Sequence, residues 1–321
     1  MQQETLATFE MMDGDYHLDA YRIGAGDPVC VITAGIHGDE TPSIQVAEAL
    51  IERLSSHDVA GTAVVIPRSN VFACSDNTRE TPWPRYEEYE SQERNLNRCF
   101  DAAFRDIVGE SVQLNLTERM AVSILEEVRE ADYLIDMHTG TWPGKKVPQV
   151  RMKEHERYDR DVIETMEGMV AHSGLETVFR TSVDEIGSGV LAAVAPRLGV
   201  PAVTLEAGGP KHFSEEDFET YIEAVENLLG YMGVLESGAE RVDASRYHGL
   251  VPVYTSTAGS LDRRTAIGQP VDEGEIIAVI RNSQGEEAEE VRSPVGGMVE
   301  MMNQRRAVNQ GIRIAKIAYR D

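Results

Sequence analysis

The stretch Val31–Ser43, VITAGIHGDETPS, decides how this chain is read. A β-branched apolar run breaks at Gly35, and His37 and Glu40 follow, three residues apart. The next segment, PSIQVAEALIERL, repeats apolar residues at Ile44, Ala47, Leu50, Ile51 and Leu54, the spacing of one helix face. Strand, polar turn and helix form the repeating unit of an α/β sheet. In open sheets of that kind ligands bind beyond the carboxyl ends of the strands. That edge is where this turn puts its histidine and its carboxylate.

Working outward, the same alternation continues. TAVVIP reads as the next strand, and NLTERMAVSILEEVRE as an amphipathic helix opened by a capping box, Asn115 with Glu118. DYLIDMHTG and PAVTLEAGG read as strands ending in polar residues, and EEDFETYIEAVENLLGYM as a helix stopped near Gly233. The pattern predicts an α/β domain over residues 1–240, with a mixed, largely parallel sheet covered by helices on both faces. From about Val242 the runs LVPVYTSTAG, GEIIAVIRN, EEVRSPVGGMVEMM and GIRIAKIAY are separated by glycine-rich turns. They predict a small all-β, barrel-sandwich-like domain over residues 241–321, joined through the linker ESGAERVDAS. WPRYEEYESQERN, residues 83–95, reads as a polar surface insertion. GAGDP, from Gly24, precedes its strand and lacks the third glycine of a dinucleotide fingerprint, so it reads as a hairpin turn.

Composition narrows the function. The 321 residues carry 55 acidic against 30 basic side chains, a net charge of −25, and only five of the basic residues are lysine. Such a chain repels nucleic acid and anionic membranes, so neither is an expected partner. The acids are spread along the whole chain. That suits a halophilic microbe, whose salt-rich cytoplasm screens self-repulsion over about 3 Å at 1 M salt, better than an acidic partner-binding tail. No run of about 18 apolar residues exists, so no membrane span is expected. The acidic N-terminus lacks a signal core, and a cytoplasmic location is expected. Cys30, Cys74 and Cys99 give no disulfide framework and no zinc-knuckle spacing.

A single His-x-x-Glu pair is weak, because a chain with eight histidines and this much glutamate yields about one by chance. A second pair, His212 and Glu215, sits at the start of an acidic helix and reads as structural. The first pair is distinguished by its company. VITAGI leads to His37 and Glu40, YLIDM to His138 and AVTL to Glu206, three strand ends carrying reactive side chains to one edge. Two histidines and a carboxylate with an open fourth position make a hydrolytic zinc site, and a further glutamate can serve as general base. Plainer readings stand beside this one. His37 could cap the helix near Thr41, and Asp136 could compete with His138 as a ligand, orient a neighbouring ligand, or be an ordinary strand end.

Taken in order, GIHGDE, NLNR, DMHTG and TLEAGG resemble the succinylglutamate desuccinylase/aspartoacylase family, a deacylase branch of the zinc carboxypeptidase fold. The likeness spans nearly the whole chain. It implies one zinc ion per chain held by His37, Glu40 and His138, with Glu206 as the catalytic glutamate. Asn97 and Arg98 match the pair that holds a substrate carboxylate, a task suited to an arginine fork. Arg79 matches the arginine that steadies the carbonyl oxygen. The 83–95 insertion lengthens the gap that follows it, leaving Arg94 as a competitor for that role.

The activity implied is zinc-dependent cleavage of the amide bond of a small N-acyl amino acid. The substrate is a small molecule, and a homo-oligomer is possible. Lys145 and Lys146, just after His138, are expected to line the entrance and attract an acidic acyl group or a dicarboxylate; a solvated loop is the alternative. Other classes remain: a carboxypeptidase acting on peptides, or a carrier related to lipoyl-type sandwiches. Where a carrier would present its modified lysine the chain reads EMMN, which disfavours the carrier.

Overall fold

The computed structural model describes residues 1–82, 91–183, 189–236, 240–242 and 244–320. Its strands are β1 Gln2–Met11, β2 Gly14–Gly24, β3 Val29–Thr33, β4 Thr62–Ile66, β5 Tyr133–Thr139, β6 Gly144–Glu154, β7 Thr177–Ser182, β8 Ala202–Gly208 and β9 Ser245–Tyr247. They continue with β10 Gly249–Tyr254, β11 Gly259–Arg263, β12 Pro270–Val271, β13 Ile276–Arg281, β14 Glu287–Arg292, β15 Gly297–Asn303, β16 Ala307–Val308 and β17 Arg313–Tyr319.

The main sheet runs β1-β2-β4-β3-β5-β8-β6-β15-β17-β10. Its centre, β4-β3-β5-β8, is parallel. Alternate residues of these strands enter two separate cores. Ile32, Ile135, Met137, Val203 and Leu205 pack with Val46, Leu50 and Leu54 and with Leu228. Val31, Leu134 and Ala202 pack with Phe100, Met120 and Ile124. The helices Thr41–Ser55, Arg160–His172 and Glu215–Tyr231 thus cover one face, and Phe100–Ile107 and Leu116–Arg129 the other. Burial on both faces is why the central strands read as unbroken apolar runs.

The capping box at Asn115 and Glu118 is present, and a second, Ser214 with Asp217, opens the helix Glu215–Tyr231. Three readings need correction or extension. GAGDP is not a hairpin turn: β4 lies between β2 and β3, so this segment carries the chain past a neighbouring strand. The first 24 residues form a β1–β2 hairpin whose alternating polar residues masked it. TWPGKKVPQV is no loop, since Gly144–Glu154 form β6.

The predicted insertion falls partly outside the described residues, at 83–90, as does part of the linker, at 237–239 and 243. Ser91–Arg94 form a short helix. From Ser245 onward every regular element among the described residues is a strand. β14-β13-β11-β16 form a separate antiparallel sheet. β15 instead pairs with β6 of the main sheet, Met301 opposite Lys146, so the last strands extend the sheet that carries the site.

Candidate active site

The parallel register sets the site. His138 on β5 lies beside Glu206 on β8, and Asp136 beside both Thr33 and Thr204. His37 and Glu40 sit in the turn between β3 and the helix Thr41–Ser55. Two glycines let that turn close. Gly35 has φ +64°, and a Cβ on Gly38 would stand 2.0 Å from the Ala73 carbonyl. His37 is not the helix cap; Glu40 holds the N-cap position, without a side-chain cap bond.

His37, Glu40 and His138 are all buried and each offers a ligand atom within 4.8 Å of the others. The two imidazole centroids are 5.1 Å apart. Nδ1 of His37 is 3.0 Å from Glu40 Oε1, and Nδ1 of His138 is 2.9 Å from Oε2. The far nitrogens are anchored: His37 Nε2 faces Asn95 Oδ1 at 3.2 Å, and His138 Nε2 faces Asp136 Oδ2 at 3.0 Å. Oxygen acceptors at Nε2 would leave Nδ1 free for an ion, the arrangement that orients metal-binding histidines. Asp136 takes this orienting position and is itself held by Thr33 Oγ1 at 2.9 Å. Two imidazoles and a carboxylate suit zinc, and the donor set fits it.

Electrostatics follow from burial and charge. Burial alone would raise the Glu40 carboxyl, but the His37 and His138 imidazoles outweigh it and hold the group well below the usual carboxylate range. Burial pushes His37 down against the pull of Glu40. Burial also opposes protonation of His138, yet Asp136 and Glu40 on either side raise it to about 9.

Around this centre lies a cavity of about 160 Å³, lined among others by Arg79, Asn97, Arg98, Lys146, Arg151, Lys153 and Glu206. Arg79 Nη1 donates to Glu40 Oε1 at 2.9 Å and to Thr141 Oγ1 at 2.7 Å. Arg94 lies elsewhere, 3.7 Å from Glu80 and outside the cavity lining. Asn97 Oδ1 accepts from the Leu191 backbone N–H at 2.9 Å, and its Nδ2 lies 3.3 Å from His138 Nε2. Arg98 donates to the Asn97 carbonyl at 2.6 Å, and burial, with Arg79 close by, pushes its guanidinium below its usual range.

Glu206 contacts Lys146, and its Oε1 lies 3.3 Å from Arg151 Nε. The two expected entrance lysines part company. Lys146 lines the cavity, whereas Lys145 pairs with Asp217 at 2.7 Å. A second chamber of about 400 Å³ adjoins the first, sharing Arg79, Thr141 and Lys146. Arg305, Arg313 and Lys316 complete its charged lining, which among the described residues includes no carboxylate. The EMMN segment sits inside β15, with Glu300 buried against Gln149 and Arg151, rather than at an exposed hairpin tip.

Sequence reasoning missed several residues of this site. Asn95 ends the predicted insertion and opens NLNR, but only Asn97 and Arg98 of that motif carried a role in the sequence reading. Tyr221, buried in the helix Glu215–Tyr231, accepts from the His138 N–H at 2.9 Å, and its one O–H has the His138 and Leu205 carbonyls within reach at 2.8 and 2.7 Å. Its spacing in the helix looks like any core position. Arg151 and Lys153 lie on the overlooked β6; the scarcity of lysine was a usable signal for Lys153.

Comparisons with known proteins bear on the family. The family model of the succinylglutamate desuccinylase/aspartoacylase catalytic domain matches residues 27–232. The N-alpha-acetyl-L-2,4-diaminobutyric acid deacetylase of Halomonas elongata is 25% identical over 301 residues, 91% of this chain and 82% of that protein. A succinylglutamate desuccinylase of Pseudomonas aeruginosa is 28% identical over 242 residues, 73% of this chain and 66% of that protein. Among solved structures, the product-bound ectoine utilization protein EutE (DoeB) from Ruegeria pomeroyi superposes with a TM-score of 0.80 at 20% identity, covering 98% of this chain and 93% of that one. With a family model matched over well more than half its length, the chain belongs to the succinylglutamate desuccinylase/aspartoacylase family.

Proposed function

We propose that this protein is a zinc-dependent amidohydrolase that cleaves the acyl–amide bond of a small N-acyl amino acid. One observation carries the reading: His37, Glu40 and His138, remote along the chain, converge beside Glu206 at one sheet edge. Zinc held by these three residues would supply a Lewis acid that polarises the carbonyl and makes water acidic. Glu206 takes the proton of the attacking water as the new C–O bond forms, and delivers it to the amine nitrogen as the C–N bond breaks. Arg79 donates to the carbonyl oxygen as negative charge develops there; both of its present bonds use Nη1. Asn97 and Arg98 hold the substrate's α-carboxylate, and Asp136 fixes the His138 ring.

Charge supports an anionic substrate. In a chain of net charge −25, Arg79, Lys146, Arg305, Arg313 and Lys316 line the outer chamber and draw anions inward. The inner cavity, about 160 Å³, favours small molecules over peptides. The diaminobutyrate and succinylglutamate activities of the relatives bracket the side chains to be screened.

Glu206→Gln tests the reading. Zinc content is retained and amine release from N-acetyl and N-succinyl amino acids falls by orders of magnitude. Full activity in that variant would remove Glu206 from the role, and release from long peptides at comparable rates would favour a carboxypeptidase.

A further inference from the structure

The proposed reaction turns on Glu206, and each of its carboxylate oxygens faces a cation. Oε2 contacts the Lys146 ammonium, and Oε1 lies 3.3 Å from Arg151 Nε. A carboxylate held between two cations is a weak base, because each charge favours the ionised form over the one that carries the proton. Arg151 keeps its charge at any working pH, but it shares that charge with Glu300, 3.0 Å from its Nη2. Lys146 has no such second partner: among the described residues, Glu206 is the one carboxylate within ion-pair distance of its ammonium. Lys146 also lines both the inner cavity and the outer chamber, so its nitrogen has a route for protons to solvent.

We propose that Lys146 is a positioning residue for the general base. As an ammonium it withholds Glu206 from the proton of the attacking water. As a neutral amine it still donates an N–H to Oε2, fixing the carboxylate while leaving it basic. The inference rests on the deacylase reading and deepens it. The charged groups around the Lys146 nitrogen come from five elements: Arg151 on β6, Glu206 on β8, Glu300 on β15, Lys316 on β17 and Glu40 in the turn after β3. Arg79 shares both chamber linings. Burial and Arg151 push the ammonium down to about 7, Glu300 and Glu40 pull the other way, and Lys316 adds to the depression. The neutral, permissive form therefore prevails above about pH 7 and the charged, restraining form below it.

The experiment follows amine release from N-acyl amino acids against pH for the zinc-loaded full chain, Lys146→Met and the permanently charged Lys146→Arg. Ionisation of zinc-bound water contributes to the acid limb of all three, so the differences between them report on Lys146. The wild type loses about tenfold in kcat for each pH unit below the Lys146 transition. Lys146→Met escapes that loss, and its ratio of kcat at pH 6 to kcat at pH 9 exceeds the wild-type ratio by about tenfold. Lys146→Arg lowers kcat by roughly ten- to a hundredfold above pH 7, with KM and zinc content little changed. A purely structural lysine would depress the rate evenly across pH. An acid limb identical in wild type and Lys146→Met, or full kcat in Lys146→Arg above pH 7, overturns the proposal.

Trace acylation with acetic anhydride, read by mass spectrometry, follows the Lys146 amine itself, one of only five lysines in the chain. Half-maximal reactivity near pH 7, moving lower in Glu206→Gln where the anion is gone, supports the coupling. A transition in the usual lysine range, or one indifferent to Glu206→Gln, refutes it without recourse to activity. If the wild type hydrolyses no N-acyl amino acid, the deacylase reading fails and takes this role with it. An active enzyme whose pH profile ignores Lys146 refutes this role alone.

Discussion

Replacing Glu40 by Gln separates the metal-site account from a merely structural turn. Each carboxylate oxygen of Glu40 meets one imidazole nitrogen and one obligate N–H donor. Oε1 faces His37 Nδ1 and Arg79 Nη1, and Oε2 faces His138 Nδ1 and the Thr139 N–H at 3.0 Å. The imidazoles can change tautomer and accept a hydrogen bond; the Arg79 and Thr139 N–H groups cannot. Whichever way the amide is turned, its NH2 therefore opposes an obligate donor. An unpaired buried donor costs about 1–3 kcal/mol. Loss of the anion beside Arg79 and His138 adds to this, for a total of about 2–4 kcal/mol in the metal-free protein.

Metal linkage gives a second reading of the same variant. At a hundredfold excess over its dissociation constant zinc stabilises the wild type by about 2.7 kcal/mol. If the variant's affinity falls by about a hundredfold, the magnitude reached by lost orienting partners alone, the gain shrinks to about 0.4 kcal/mol. Guanidinium unfolding in KCl, with and without zinc, measures both quantities. Equal zinc stabilisation of wild type and Glu40→Gln would refute the assignment of Glu40 as a ligand.

Other perturbations address other parts of the account. Asp136→Asn deprives the His138 Nε2–H of its anionic acceptor, and zinc affinity by competition with a chelator falls about 10- to 100-fold. Gly38→Ala drives a methyl into the Ala73 carbonyl; it destabilises the fold by about 1–3 kcal/mol and lowers zinc content with it. Lys153 binds fewer protons folded than unfolded between about pH 7 and the usual lysine range. Stability therefore rises with pH across that window, by at most about 1.4 kcal/mol per unit, and Lys153→Met flattens the slope in pH-dependent denaturation. With net charge −25, the melting temperature rises with KCl; a melting temperature independent of KCl removes the salt-adaptation reading.

The candidate ligands drew notice because each lies at or just beyond the end of a strand buried on both faces, where an abrupt polar residue is conspicuous. VITAGIHGDE, YLIDMH and AVTLE show this without any knowledge of pairing. The hairpin β1–β2 was hidden because one of its faces meets water, so QQETLATFEM alternates weakly amid acids. β6 was hidden because lysines and Pro148 suggested a loop, while its burial depends on β8 and on β15, some 150 residues later. Arg151 illustrates the general limit of local pattern. Its partners Glu206 and Glu300 come from two remote strands, and only the sheet order brings them together. Among the described residues no helix is long and apolar enough to cross a membrane.

Zinc dependence itself is the most direct point of attack. Metal content and amine release from N-acyl amino acids are to be followed together through chelation and stepwise zinc return. The account predicts activity that vanishes with the metal and returns in proportion to zinc, saturating at one ion per chain, with His138→Ala neither loading nor turning over. Undiminished amide hydrolysis by protein verified as metal-free would contradict it.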